Sequence, residues 1–121
     1  MSGLKSSGIV IDYKCDIPVV DIIRSNRSKP TRELIGKVDK EFQRLGLATR
    51  THLDGERDQV IGISPDDHAM LHVIVADDRI RYGRYNSAEY NLNQPPVWQP
   101  SAAKYSFILP RMNFETEKGF R

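Results

Sequence analysis

The sequence predicts an α+β domain in which two or three helices are followed by a β-hairpin, with an irregular C-terminal extension. Three observations carry this. Between Thr31 and Gly46 the apolar residues recur at helical spacing and stop at a glycine. Residues 47–53 and 59–64 alternate about a polar turn, as paired strands do. Pro95, Pro96 and Pro100 then crowd a short stretch and exclude both helix and central strand there. The resulting division is a domain over 1–85 and a proline-containing arm, short strand and tail over 86–121.

Length and composition bound the rest. The chain has 121 residues, 39% of them apolar and 28% charged. One domain of this size can bury a core without disulfides or metal. No apolar run is long enough for a transmembrane helix, and the first residues lack the apolar core of a signal peptide. The single cysteine, Cys15, has no internal disulfide partner, which fits a reducing compartment and a cytoplasmic protein.

In chain order, residues 8–14 read as a short strand, because Ile9, Val10, Ile11 and Tyr13 favour extended structure. Residues 16–26 read as a short helix. Asp16 serves as its cap, Pro18 falls in its first turn, and Val19, Ile22 and Ile23 repeat at helical spacing. Pro30 breaks the chain, and Thr31 caps the main helix. Leu34, Val38, Phe42 and Leu45 form its core stripe, with Ile35 beside them. Gly46 stands where a left-handed cap is wanted, and Leu47 can fold back on the last turn.

In the hairpin, Leu47, Thr49, Thr51 and Leu53 share one face and Ala48, Arg50 and His52 the other. The turn is Asp54-Gly55-Glu56-Arg57-Asp58. Ser64-Pro65-Asp66-Asp67 then has the composition of a helix start and predicts a helix over 65–75. The β-branched run Val73-Ile74-Val75 and the pair Asp77-Asp78 pull toward a hairpin instead, and residues 80–85 read as extended or paired. Residues 105–109 read as a last strand, stopped by Pro110.

Charge is uneven along the chain. Between Arg24 and Arg50 eight basic residues face only Glu33, Asp39 and Glu41, a balance of +5 in a chain of net +2, which leaves −3 for the remainder. A basic segment on an otherwise acidic chain is the footprint of a polyanion contact.

The order helix, basic turn, longer helix and charged hairpin resembles a winged helix. In detail, Ser28-Lys29-Pro30-Thr31, the helix end Leu45-Gly46-Leu47-Ala48-Thr49-Arg50, the turn 54–58 and Ile61-Gly62-Ile63-Ser64 are similar to winged-helix regulators of the MarR type. Phage antirepressor-type regulators are a second likeness. The likeness covers about residues 16–76. It departs where 31–46 runs about a turn longer than in those families, and the long N-terminal dimerisation helices are absent.

The resemblance implies a winged-helix-like fold. It also implies non-enzymatic duplex DNA binding by a small transcriptional or phage-type regulator, acting as a homodimer. The main helix would read the major groove and the hairpin would touch backbone or minor groove. Lys29, Thr31, Arg32, Lys37, Lys40, Gln43 and Arg44 are the candidate DNA contacts of the helix; Arg50, His52 and Arg57 are those of the hairpin. Gly36 sits on the outer face of that helix.

Two other readings are open. His68 and His72, four apart near Asp66 and Asp67, would share a helix face and with His52 hold a metal. The glutamate of a metalloprotease motif is missing, and no phosphate loop or nucleophile motif occurs, so no enzyme, cofactor or metal is expected. The arm from Tyr90 to Pro100, with Trp98, suits a groove on a protein partner, which would make the chain an interaction module or inhibitor.

Overall fold

The computed structural model describes residues 13–86 and 103–112. The first helix, α1 (Tyr13–Ser25), begins earlier than the sequence predicts. Tyr13 and Lys14, expected in a strand, open this helix; the remainder of that predicted strand lies outside the described residues. Pro18 lies beyond the first turn and has no N–H to give to the carbonyl four residues back. Val19 and Ile23 are fully buried, so packing holds the helix through the proline.

The second helix, α2 (Thr31–Arg44), forms as the stripe requires: Leu34, Ile35, Val38 and Phe42 are all buried. Pro30, not Thr31, occupies the N-cap, and its carbonyl accepts the N–H groups of Glu33 and Leu34 at 3.0 Å. At the other end Gly46 takes φ 88°. Its N–H reaches the Gln43 carbonyl at 2.9 Å while that of Leu47 reaches Phe42 at 3.0 Å, a Schellman closure.

Among the described residues five strands follow: β1 (Ala48–His52), β2 (Asp58–Ile63), β3 (Ala69–Ala76), β4 (Arg79–Asn86) and β5 (Tyr105–Pro110). They form one antiparallel sheet in the order β1-β2-β3-β4-β5, a meander. β5, drawn from the C-terminal segment, thus completes the sheet begun by the hairpin. Val60, Leu71, Val73, Val75, Ile80 and Tyr82 form one core with Val19 and Ile23 of α1 and the α2 stripe. α2 lies over β1 and β2, and the face it covers includes Gly62, where an added Cβ would stand 2.8 Å from the Phe42 ring.

This overturns the winged-helix expectation. The hairpin is not a wing projecting beside a recognition helix; it supplies the first two strands of a five-stranded sheet that carries both helices on one face. The helix predicted over 65–75 does not exist. Ser64 Oγ accepts the Asp66 N–H at 3.2 Å, and Asp67 Oδ1 accepts the Ala69 N–H at 3.2 Å. The cap-like residues therefore serve a turn, a use their short polar side chains allow equally well. Residues 70–76 are then buried on both faces of the sheet, the environment in which a continuous β-branched run is most stable. Asp77 and Asp78, with φ of 55° and 59°, supply the two left-handed positions of a tight β3–β4 hairpin.

Two polar links tie the layers together. The Tyr82 hydroxyl on β4 donates to Asp16 Oδ1, and Arg84 Nη1 donates to Asp16 Oδ2 at 3.4 Å. Arg111, just after β5, donates through its backbone N–H to Asp78 at 2.8 Å and through its guanidinium to the Lys29 carbonyl. Burial lowers the Arg111 pKa below its ordinary value.

Candidate nucleic-acid interface

The predicted DNA contacts separate into two groups. Arg32, Lys37, Lys40, Gln43 and Arg44 project from the exposed side of α2, and Lys29 is exposed just before it. Thr31, half-buried, starts the helix. On this side Gln43 Nε2 donates to Asp39 Oδ1 at 3.2 Å. Arg44 grips Glu41 through two bonds, Nε to Oε1 at 2.9 Å and Nη2 to Oε2 at 2.5 Å. The Glu41 contact, hydrogen bond first and charge second, raises the already high Arg44 pKa.

Arg50 and His52 do not join them. Gly62 faces Phe42 and pairs with Thr49, so Thr49 and Thr51 share the α2 side of the sheet while Ala48, Arg50 and His52 point to the other. Arg57 sits at the hairpin tip, away from both sets. That tip is closed by its own carboxylates. Asp54 Oδ1 accepts the N–H groups of Arg57 at 2.8 Å and Glu56 at 2.9 Å, and Asp58 Oδ1 accepts that of Gly55 at 2.8 Å. The Arg57 and Glu56 amides, in that order, hold the Asp54 pKa down. His52 Nε2 also approaches Asp54 Oδ2 at 3.4 Å.

The helical layer adds two cations of the basic 24–50 segment, Arg24 and Arg27, that lie outside the predicted contact set. Arg24 ends the exposed stripe of α1, which also holds Lys14, Ile17 and Asp21, and Arg27 is half-buried in the α1–α2 loop. Their signal was the charge balance of 24–50; knowing that the two helices form one layer is what joins them to α2.

The histidine constellation dissolves. On β3 and its preceding turn, His68 and His72 are separated along extended chain rather than stacked on a helix. His72 is fully buried, with Nε2 3.0 Å from Gln59 Oε1, whereas His68 is exposed with φ 57°. Among the described residues no three histidine, cysteine, aspartate or glutamate side chains gather as a metal site. No helix among them is long and apolar enough to cross a membrane. The whole arm from Tyr90 to Pro100, Trp98 included, lies outside the described residues.

No protein-family model, curated protein or solved structure matches this chain.

Proposed function

We propose that this is a non-enzymatic binding protein that holds duplex DNA, through its phosphates, against the exposed side of α2 and the adjoining α1–α2 loop. The observation supporting this is the exposed trio Arg32, Lys37 and Lys40 on one helix whose buried acid, Glu41, is already taken by Arg44. Arg24 and Lys29 extend the trio along the same layer, and Asp21 and Glu33 are the exposed acids among them. A helix backed by a sheet offers a firm surface of cations to a charged rod. Phosphate contacts of this kind give affinity and orientation, with base reading left aside.

The test is a fluorescence titration of a random duplex at several salt concentrations. Binding should fall with salt at a log–log slope of about −0.9 per phosphate neutralised. The triple variant Arg32→Glu, Lys37→Glu, Lys40→Glu should lose it, while Arg50→Glu on the opposite side of the sheet should not. A slope near zero, or equal losses in both variants, defeats the reading. A second reading, an acidic protein partner on the same layer, is favoured by Ile17 on α1, which is 63% exposed where phosphate has no use for it.

A further inference from the structure

A cleft of about 420 Å³ opens at the end of the sheet where the β2–β3 turn meets the end of β4 and the start of β5. It is lined by Asp67, His68, Ala69, Arg84, Tyr85, Asn86 and Lys104. Its volume falls in the roughly 300–1,000 Å³ typical of small-molecule sites.

Among the described lining residues, Arg84 and Lys104 bring an arginine and a lysine to the cleft. The Lys104 N–H donates to the Arg84 carbonyl at 2.8 Å, which brings the Lys104 backbone to Arg84 just beyond the last β4–β5 pair, Arg84 with Tyr105. Arg84 is steadied from the protein side by the buried carboxylate of Asp16. The acid in the lining, Asp67, directs Oδ1 to the Ala69 N–H, a bond that also shapes the turn. His68, exposed at positive φ, stands at the rim as a further nitrogen donor.

We infer that this cleft binds a small molecule bearing an oxyanion, a phosphate or a carboxylate, whose oxygens meet Lys104 and the guanidinium of Arg84, with Asn86 and His68 as further polar contacts. A planar fork beside a mobile ammonium suits both kinds of oxyanion. The cleft is built from the β2–β3 turn, β4 and the start of β5, so it is separate from the exposed side of α2, and its occupancy does not depend on DNA binding.

The test titrates the full chain, labelled with ¹⁵N, with inorganic phosphate in one arm and succinate in the other, against sodium chloride at matched ionic strength. Saturable shifts of the Ala69, Asn86 and Lys104 amides, absent with chloride, are expected in at least one arm. Saturation by phosphate alone identifies a phosphoryl ligand and saturation by succinate alone a carboxylate. Lys104→Glu should weaken the saturating arm at least tenfold and Lys104→Arg should preserve it, with the α2 amides unmoved throughout. Shifts that fail to saturate in both arms, that chloride reproduces, or that persist in Lys104→Glu overturn the inference.

Discussion

The Tyr82 hydroxyl donates to the Asp16 carboxylate across 66 residues of sequence, and both groups are buried. This contact joins the first turn of α1 to the middle of the sheet. The Tyr82 ring meanwhile tilts against Phe107 of β5 with centroids 5.7 Å apart, so one side chain ties its own strand to α1 and β5. Removing the hydroxyl in Tyr82→Phe keeps the ring packing but leaves Asp16 Oδ1 without that donor. A loss of about 1–3 kcal/mol is expected in urea denaturation. Asp16→Ala should cost more, about 3–5 kcal/mol, because it strips the buried partner from Arg84 as well.

Two glycines should respond with opposite signs. At Gly62 a methyl group would meet Phe42 Cγ and Cδ2 and Leu47 Cδ1 at 2.8 Å, and the ring has little room to retreat. Gly62→Ala should destabilise by about 1–3 kcal/mol, partly relieved in the double variant with Phe42→Leu. At Gly36, on the open side of α2, nothing stands within 4 Å of an added Cβ. Gly36→Ala should stabilise by about 1 kcal/mol through helix propensity. Thermal melts of the two single variants decide both.

Stability should fall in mild acid because of His72. Burial lowers its pKa from 6.5 to about 4, and Gln59 accepts from Nε2–H of the neutral ring. Between those values the unfolded chain binds a proton that the folded chain refuses. Stability is therefore complete above about pH 6.5 and declines as pH falls toward 4, the opposite direction from a histidine stabilised by a carboxylate. From pH 6.5 to 5 the loss should be about 2 kcal/mol. His72→Met should flatten urea midpoints over that interval, whatever it does to absolute stability.

On the helical layer, Lys40→Ala and Lys37→Ala should each weaken duplex binding and reduce the salt slope by about one. Arg44→Ala should act differently. Its guanidinium neutralises Glu41, which is only 9% exposed, so that variant should show in stability as well as in DNA titration. Chemical denaturation run beside each titration separates the two effects.

The candidate site was legible only in part. Lys37 and Lys40 could be assigned to an exposed helix side because the stripe Leu34, Val38 and Phe42 fixes which side is inward. Arg50 and His52 were equally visible as charged strand residues. Yet nothing local says whether their face of the hairpin turns toward α2 or away from it. That choice follows from Gly62, whose missing side chain lets Phe42 settle on β2. The cleft at Arg84 and Lys104 has no sequence signature, because the β4–β5 pairing that ends at Arg84 and Tyr105, and the Lys104 backbone bond beside it, cross a long connection.

By itself the sequence determined α2, its Schellman stop at Gly46, and the β1–β2 hairpin. Their signals act within a few residues: helical spacing, a glycine at positive φ, alternation about a polar turn. Tertiary structure decided the fate of residues 65–75. Ser64, Pro65, Asp66 and Asp67 satisfy a turn as readily as a helix N-terminus, so local chemistry leaves that segment undecided. A neighbour on each side, β2 along residues 70–75 and β4 along 69–76, gives Leu71, Val73 and Val75 a core to enter and the strand backbone its ladder partners, and that long-range pairing makes it the centre of a five-stranded sheet.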